Sequence, residues 1–353
     1  MTSLERPLRI GLLGAANIAA QGIVEPTKAT GARLVAMAAR DRSRAESYAA
    51  EHGVERVLNS YEDVINDSEV NVIYNPLPNA FHAPWNIAAL NAGKHVLTEK
   101  PFASNGAEAA AVRAVANSTG LVIMEGFHYL FHPVTARLHE VIASGEIGDI
   151  QRVEAELVIP SRQASDPRLS LELAGGALMD LGCYGMHAAG RLAPWAGGKP
   201  QIDSARGGGG AGGSGLDTWM NVELSFPNGA AVSVRSKMEG EANYKVFRVV
   251  GSRGELQLAN FVQPHLDNRL TVSSARGERV ERLGDRSSYT YQLEAFTAHL
   301  CDESPPLIDA DDAVASMELI DQCYIAAGFQ PRPNYLLKPQ PSERGQDLKH
   351  AQL

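Results

Sequence analysis

The sequence predicts an α/β fold in two domains, because its first third and the remainder follow different hydrophobic patterns. In the first third, short continuous apolar runs alternate with helical stretches, which is typical of a parallel sheet covered on both faces. Further along, apolar and polar residues alternate singly, as in Val153–Ile159, which indicates strands with one face in the core. A length of 353 residues fits about two domains of ordinary size.

The predicted first domain covers residues 1–125 and contains five short apolar runs. These runs are Leu8–Leu13, Arg33–Ala39, Val70–Tyr74, His95–Thr98 and Leu121–Met124. The helical patterns between them are Asn17–Glu25, Arg42–Glu51, His82–Ala92 and Asn105–Asn117. Since crossover connections between parallel strands are right-handed, this alternation predicts a doubly wound parallel sheet of the Rossmann type.

The predicted second domain covers residues 126–353 and is an α/β domain with an open, mostly antiparallel sheet. Alternation in Met220–Phe226 resumes after the turn signal Pro227–Gly229, and a second pair of strands flanks Gly251–Gly254. Helices are expected to cover one face of the sheet, over Val134–Ala143, Ala177–Leu192, Tyr289–Leu300 and Ala310–Ala327. The glycine-rich run Gly207–Gly215 predicts a flexible loop between strands.

Composition excludes several classes of protein. The chain has 32 Lys and Arg against 41 Asp and Glu, a formal charge of -9, and it has no basic run for nucleic acid. No apolar stretch approaches the ~18–20 residues of a membrane span, and the first residues lack the apolar core of a signal peptide. Its three cysteines cannot all pair with one another. We therefore expect a cytoplasmic protein whose partner is a small molecule, not nucleic acid or a membrane.

The turn after the first strand is a candidate nucleotide site. Gly14–Ala19 follows an apolar run and opens a helix, where the glycines of a dinucleotide fingerprint let backbone N–H groups reach the pyrophosphate. Only Gly14 matches a fingerprint glycine, since Ala16 and Ala19 replace the other two. A plain strand–turn–helix would have the same pattern. The nucleotide interpretation predicts cofactor contacts at Gly14, Ala16, Asn17 and Ile18.

Residues after the second strand favour NADP over NAD. Ala39 occupies the position that often carries an acid for the ribose 2′-hydroxyl, and the segment after it includes Arg40 and Arg44. Arginine offers a planar fork for a 2′-phosphate. The alternative is a solvated, charged start of a helix. We expect Arg40 and Arg44 to bind NADP, with NAD remaining possible.

Three further segments carry most of the predicted chemistry: Asn75–His82, Glu99–Pro101 and Gly175–His187. Together with the opening Gly-Leu-Leu-Gly, they resemble the Gfo/Idh/MocA family, named after glucose–fructose oxidoreductase and inositol dehydrogenase. The resemblance spans roughly residues 8–325. It implies a Rossmann domain, an open-sheet α/β domain and, as in most members, an NAD(P)-dependent dehydrogenase of sugars, polyols or dihydrodiols.

The same resemblance implies roles for individual residues. Lys100 matches the catalytic lysine, Asp180 the active-site aspartate, and Tyr184 the tyrosine of the glucose–fructose oxidoreductase and dihydrodiol dehydrogenase branch. Family members commonly have a cis Lys-Pro peptide. Contacts to the nicotinamide end of the cofactor are implied at Asn75, Pro78, Asn79 and His82, and a ribose contact at Glu99. It also implies a homodimer or homotetramer.

The residue types suit hydride transfer without the family name. Oxidation of an alcohol needs a group that takes the hydroxyl proton. Lysine and tyrosine have ordinary pKa values of ~10.4 and ~10, so whichever of them serves must have its pKa lowered. Lys100 and Tyr184 are both candidates, and the spacing does not separate them. On a helix from Ala177, Asp180, Tyr184 and His187 would face one direction. Lys100, Asp180, Tyr184 and His187 are therefore the predicted substrate contacts, although His187 has a structural alternative.

Two other interpretations fit parts of the sequence. His128 and His132 have the spacing of paired metal ligands, but no acidic partner completes a zincin motif, so no metal site is predicted. A non-catalytic NAD(P)-binding regulatory protein with the same fold is the main alternative to an enzyme. The intact Glu99-Lys100-Pro101 motif favours the enzyme.

Overall fold

The computed structural model describes residues 7–209, 215–301, 306 and 308–337. Within these residues the chain forms two compact units, and each of them combines segments that are distant in sequence. The first unit takes its described residues from 1–127, 289–317 and 333–351, and the second from 128–288 and 318–332. The division at residue 125, with two continuous domains, stays a prediction.

The first unit contains a five-stranded parallel sheet. Its strands are β1 (Arg9–Leu13), β2 (Arg33–Ala38), β3 (Val72–Asn75), β4 (His95–Thr98) and β5 (Ile123–Glu125). The order is β2-β1-β3-β4-β5, and every pairing is parallel. The strands are almost entirely buried, because helical segments cover both faces. The predicted doubly wound sheet is confirmed.

Six helices lie among these strands; one region differs from its prediction, and the helix Tyr61–Asn66 was not predicted. They are α1 (Asn17–Ala19), α2 (Glu25–Thr30), α3 (Arg42–His52), α4 (Tyr61–Asn66), α5 (His82–Asn91) and α6 (Gly106–Thr119). The predicted helix Asn17–Glu25 is interrupted by a π-helical turn over Ala20–Val24, after which α2 extends the helical segment to Thr30. Such a turn widens the helix locally, and an apolar pattern does not reveal it.

The second unit contains an eight-stranded sheet in the order β13-β12-β11-β10-β6-β9-β8-β7. Its strands are β6 (Ile150–Pro160), β7 (Gln201–Gly208), β8 (Trp219–Ser225), β9 (Ala231–Gly240), β10 (Tyr244–Gly251), β11 (Gly254–Leu258), β12 (Arg269–Ser274) and β13 (Gly277–Arg282). Only β6 and β9 pair in parallel, which confirms the mostly antiparallel sheet. Three strands, β7, β12 and β13, were not predicted.

A glycine lets the helix α8 (Cys183–Gly190) approach this sheet closely. A Cβ atom at Gly185 would lie 2.7 Å from Val234 Cγ1 on β9 and 2.9 Å from Ala155 Cβ on β6. Any larger residue would therefore push the helix away from the sheet. Gly185 thus sets how close to the sheet the backbone of the neighbouring Tyr184 lies.

The remaining helices are α7 (Pro133–Ala143), α9 (Ser288–Leu300) and α10 (Ala310–Ala326). Of the run predicted as a glycine loop, Gly207 and Gly208 belong to β7, while 210–214 lie outside the described residues. In the part of the chain that the structure describes, no helix has the length and apolarity needed to cross a bilayer.

Candidate active site

The turn after β1 has the backbone geometry of a nucleotide-binding turn. Gly14 has a φ of +85°, a left-handed conformation that favours glycine, and its N–H donates to the carbonyl of Ala38 at 2.8 Å. Helix α1 begins after Ala16, which makes no side-chain cap to the first N–H groups. These groups at the start of a helix fit a pyrophosphate. Gly14, Ala16, Asn17 and Ile18 all lie at this turn.

The two predicted arginines lie at the start of α3 and are exposed. The Arg44 guanidinium donates from Nη2 to the carbonyl oxygen of Ala15 at 2.9 Å, so it borders the Gly14 turn. Asp41 caps α3 and accepts hydrogen bonds from Ser43 Oγ at 2.7 Å and from the Arg44 N–H at 3.1 Å, which lower its pKa. The nearby acid is thus engaged in capping, and Arg40 and Arg44 fit a 2′-phosphate.

Glu99 is buried at the carboxyl end of β4. Tyr74 donates its hydroxyl hydrogen to Glu99 Oε1 at 2.8 Å. Burial raises the pKa of the Glu99 carboxyl and raises that of the Tyr74 phenol well above its ordinary value. Gly22 leaves room for this pair, because a Cβ there would lie 2.3 Å from Tyr74 Oη. Tyr74 was not predicted as a site residue.

Two predicted cofactor contacts are deeply buried and bind the protein itself. Asn75 Nδ2 donates to Asn86 Oδ1 at 2.8 Å, and Asn86 Nδ2 donates to Thr98 Oγ1 at 3.1 Å. The ring of His82 lies between two carbonyl oxygens, with Nδ1 2.6 Å from that of Pro101 and Nε2 2.6 Å from that of Leu77. Burial lowers the pKa of His82 to about 4, although both carbonyl contacts favour the charged ring.

The half-buried residues Pro78 and Asn79 occupy the loop between β3 and α5, where Asn79 opens a single helical turn. The carbonyl oxygen of Leu77, which His82 contacts, immediately precedes Pro78. His82 therefore links the Pro78–Asn79 loop to the peptide after Lys100. Contacts from Asn75, Pro78, Asn79 and His82 to a nicotinamide stay predictions.

Lys100 is half-buried and lies on a backbone segment with partners on three sides. The Lys100–Pro101 peptide bond is cis, as the resemblance implies. The N–H of Glu99 donates to the Asn75 carbonyl at 3.0 Å, and the N–H of Phe102 donates to Glu125 Oε1 at 2.8 Å. Together with the contact between His82 Nδ1 and the Pro101 carbonyl oxygen, these hydrogen bonds fix the position of the Lys100 backbone.

Glu125, at the end of β5, is a component that sequence reasoning missed. It is 2% exposed, and its Oε2 has no hydrogen-bond partner among the described residues. Burial raises the pKa of Glu125 to about 8, while the charge of Lys100 opposes that rise. The sequence shows a glutamate at the end of the fifth apolar run, but its position does not indicate that it contacts Phe102.

In the second unit, the start of the Gly175–His187 segment is anchored by a buried ion pair. Asp217 and Arg332 have fully buried side chains and contact each other. Asp217 Oδ2 accepts the Leu178 N–H at 2.7 Å, and Arg332 Nε donates to the Gly175 carbonyl at 2.7 Å. Gly176 has a φ of +125°, and a Cβ there would lie 2.1 Å from Asp217 Oδ1. Neither Asp217 nor Arg332 was predicted.

The predicted continuous α-helix through Asp180, Tyr184 and His187 is wrong in one respect. A π-helical turn spans Leu178–Gly182, and α8 begins only at Cys183. Because i→i+5 hydrogen bonding widens that turn, the angle between Asp180 and Tyr184 departs from the α-helical value. The structure nevertheless places all three residues on one helical segment, with Tyr184 and His187 each 5% exposed.

Asp180 lies among cations that the sequence analysis did not identify. Arg168 Nη1 is 3.8 Å from Asp180 Oδ2, while its Nε and Nη2 donate to Asp166 at 2.8 and 2.7 Å. Burial lowers the pKa of Lys245, and the charge of Asp180 opposes that change. The Asp180 carboxylate is therefore attracted electrostatically to both Arg168 and Lys245.

Tyr184 and His187 each have an aromatic hydrogen-bonding neighbour. Tyr184 Oη is 3.4 Å from His128 Nε2, and Tyr129 Oη is 2.7 Å from His187 Nδ1. Burial lowers the pKa of His187 to about 3, so its ring is neutral at pH 7. Among the described residues, no group of three or more His, Cys, Asp or Glu side chains has the arrangement of a metal site.

The predicted site residues thus form two groups. The first unit brings together Asn75, His82, Glu99 and Lys100 around one buried loop, and it holds the Gly14 turn with Arg40 and Arg44. The second unit holds Asp180, Tyr184 and His187. Their roles in binding and catalysis stay predictions.

Two family models match the chain, one in the region of the parallel sheet and one in the region of the mostly antiparallel sheet. The first, described as an oxidoreductase family with an NAD-binding Rossmann fold, matches residues 8–127. The second, described as the GFO/IDH/MocA C-terminal domain, matches residues 135–257. Together they cover the Lys100 segment and the Asp180–His187 segment.

Known proteins are similar over most of the chain. D-xylose 1-dehydrogenase (NADP(+)) 2 of Haloferax volcanii is 33% identical over 328 residues, which are 91% of this chain and 97% of that protein. Trans-1,2-dihydrobenzene-1,2-diol dehydrogenase of Bos taurus is 34% identical over 229 residues, 65% of this chain and 68% of that one. The crystal structure of a 3-ketoreductase from Actinomadura kijaniata in complex with NADP has a TM-score of 0.79 and 26% identity, covering 91% of this chain and 98% of its own.

These matches confirm the predicted family, the fold class, the class of enzyme and the cofactor. The Gly14 turn, the exposed arginines and the Lys100 loop all lie within the first unit, where the NAD-binding family model matches. The chain belongs to the GFO/IDH/MocA family and is an NAD(P)-dependent oxidoreductase.

Proposed function

We propose that this chain is an NADP-preferring dehydrogenase or reductase that acts on a secondary alcohol or carbonyl of a sugar, polyol or cyclic diol. One observation carries the proposal: the Glu99–Phe102 segment is fixed through Asn75, His82 and Glu125 at the carboxyl end of β4. Open parallel sheets bind their ligands at that edge. A lysine held there by buried partners suits catalysis better than it suits a solvated loop.

The chain's own residues would handle the proton of the reacting hydroxyl. When bound, NADP supplies the site that accepts or donates the hydride. Lys100 and Tyr184 are the candidate proton acceptors in the oxidation direction, and both carry N–H or O–H groups that donate to a carbonyl oxygen in reduction. Asp180, with Arg168 and Lys245 beside it, would orient the substrate hydroxyl.

The cofactor preference rests on the start of α3. Arg40 and Arg44 are exposed, and Arg44 borders the Gly14 turn through the carbonyl of Ala15. A 2′-phosphate pairs favourably with guanidinium groups, whereas Ala39 offers no acid for the 2′-hydroxyl of NAD. The NADP named for the Haloferax volcanii dehydrogenase and for the Actinomadura kijaniata complex supports the same preference.

The substrate class is inferred from the two relatives described above, whose names give a pentose and a dihydrodiol as substrates. These molecules share a secondary alcohol or carbonyl on a ring or chain bearing further oxygens. A panel of pyranoses, inositols and trans-dihydrodiols, read by NADPH absorbance, tests this proposal. NADPH binding without turnover across the whole panel would instead favour the regulatory alternative.

The variant Lys100→Ala tests the catalytic assignment. Loss of a group that transfers the proton is expected to lower kcat/KM by about 10³-fold, while NADPH still binds, as measured by its fluorescence. Lys28→Ala is the matched control, because Lys28 is an exposed lysine of the same unit that pairs with Glu25 at the surface. A Lys100→Ala enzyme with wild-type turnover would reject the assignment.

The proposal also includes the oligomeric state of the protein and its location in the cell. We expect a homodimer or homotetramer that uses the open face of the eight-stranded sheet, by analogy with the family. Cys183, Cys301 and Cys323 form no disulfide with one another, which supports the reducing cytoplasm. Light scattering of the purified chain tests the oligomer, and a monomer at micromolar concentration would contradict it.

A further inference from the structure

Four side chains of the second unit form a continuous polar chain that starts at Tyr184. Tyr184 Oη lies 3.4 Å from His128 Nε2, and His128 Nδ1 lies 2.7 Å from Ser288 Oγ. Ser288 Oγ in turn lies 2.8 Å from His265 Nδ1. We call these residues, Tyr184, His128, Ser288 and His265, the Tyr184–His265 chain.

The chain runs from the interior of the unit toward solvent. Tyr184 is 5% exposed, and His128 and Ser288 are fully buried. His265 lies in the loop between β11 and β12 and is only partly buried. Burying an imidazole and a hydroxyl costs free energy unless each group has a hydrogen-bond partner. In this chain each of these groups contacts the next one, so each has a partner.

We propose that the Tyr184–His265 chain carries a proton between the Tyr184 phenol and solvent during turnover. The proposal rests on the proposed role of Tyr184 as a proton acceptor and donor. It assigns His128 and Ser288 as relay groups and His265 as the group that exchanges protons with water.

One set of tautomers makes every contact a hydrogen bond. The Tyr184 hydroxyl donates to His128 Nε2, His128 Nδ1–H donates to Ser288 Oγ, and the Ser288 hydroxyl donates to His265 Nδ1. Each neutral imidazole then has one donor and one acceptor nitrogen, as its chemistry requires. Burial lowers the pKa of His265, so its Nδ1 is available to accept a proton at neutral pH.

The transfer balances without any further reactant. As the Tyr184 O–H bond breaks, a proton moves to His128 Nε2, the His128 Nδ1 proton moves to Ser288 Oγ, and the former Ser288 proton moves to His265 Nδ1. His265 then releases its Nε2 proton to water. Tyr184 is left as a phenolate that can take the hydroxyl proton of an alcohol substrate. In the direction of carbonyl reduction the same steps run in reverse and restore the phenol.

Other titratable groups around the chain are neutral or already paired. His132, which interacts electrostatically with His265, has its pKa lowered to about 4 by burial. Tyr129, whose ring packs against that of Tyr184, is hydrogen-bonded to His187. Asp267, two residues after His265, is held by Arg269 Nε at 2.8 Å and lies 3.8 Å from Arg282.

Two variants test the relay at different depths, with NADP and D-xylose, or a trans-dihydrodiol if the sugar is inert. Ser288→Ala removes the buried hydroxyl, and His265→Ala removes the outer imidazole. Both are expected to lower kcat by about 10-fold or more and to change KM by less than about 2-fold. Added imidazole should restore the turnover of His265→Ala, since its position is partly open to solvent, but not that of Ser288→Ala.

The matched control is Ser236→Ala, a buried serine of the same unit whose hydroxyl donates to the Met220 carbonyl at 3.2 Å. It should keep the wild-type kcat and KM. Wild-type kcat in both relay variants, or a loss in His265→Ala that imidazole leaves unchanged, would overturn the relay. If Ser288→Ala fails to fold in a thermal melt, the His265→Ala result decides alone. Tyr184→Phe separates the two proposals, because wild-type turnover in that variant would reject the role of Tyr184 itself.

Discussion

The two groups of candidate site residues are held in different ways. Around Lys100, the protein fixes the backbone: carbonyl and N–H groups of Glu99, Pro101 and Phe102 are matched to Asn75, His82 and Glu125. Around Tyr184, it links side chain to side chain through imidazole and hydroxyl groups. The first arrangement fixes the position of the Lys100 backbone, and the second links side chains into the path that we propose for a proton.

This difference follows from the two sheets. Parallel strands end together at one edge, so the backbone polar groups of the loops that follow must find partners there. The antiparallel sheet of the second unit instead carries an α-helix on one face, and side chains meet across that packing. Gly185 allows α8 to approach β6 and β9 closely, and the side chain of the neighbouring Tyr184 contacts that of His128.

The largest effect is expected from Asp217→Asn, which breaks the anchor of the second group. Arg332 would keep its charge with a fully buried side chain and without a charged partner, so the free energy of unfolding should fall by about 4 kcal/mol in denaturant titration. Glu55→Gln, which breaks the exposed pair with Arg33, should cost less than about 1 kcal/mol. Equal losses in the two variants would show that burial does not distinguish these pairs.

Glu125→Gln should remove a pH dependence from the first unit. The folded pKa of Glu125, about 8, lies above its ordinary value of 4.5, so the folded state holds a proton that the unfolded chain releases. Wild-type stability is therefore full below about pH 4.5 and falls as pH rises toward 8. Relative to the variant, the wild type should lose about 2.5 kcal/mol between about pH 5 and 7.

Denaturant titrations at the two pH values measure this loss, with Glu239→Gln as the control for an exposed glutamate. A constant difference between wild type and Glu125→Gln would mean that Glu125 is ionised in the folded protein. In that case the charge of Lys100 would be opposed by a permanent anion at Glu125.

The smallest effect is expected at the two arginines that we propose bind the cofactor. Removing both guanidinium groups in Arg40→Ala/Arg44→Ala should raise KM for NADP by about 10-fold, or roughly 1.4 kcal/mol, and leave KM for NAD nearly unchanged. Arg42→Ala is the control, because Arg42 is exposed and pairs with Glu46 at 2.8 Å. A parallel rise for both cofactors would indicate that Arg44 only supports the turn through Ala15.

Strands of the first unit were predictable because their apolar runs are continuous, and β1 to β5 fall within one or two residues of the predicted runs. In the second unit, β7 and β13 were missed for the opposite reason. Ala205 is the only buried residue of β7, and β13 has none, so neither shows a usable alternation. The β12 strand buries only Leu270 and Val272.

From sequence alone one obtains the alternation of strands and helices in the first unit, the family and the positions of Lys100, Asp180 and Tyr184, because these depend on local patterns of residues. Tertiary structure alone decided that Glu125, Asp217, Ser288 and His265 belong beside them. Their partners lie 23 residues away for Glu125 and Phe102 and 160 for Ser288 and His128. Hydrogen bonds over such separations are selected by burial, which requires a partner for each polar atom but leaves its place in the chain open.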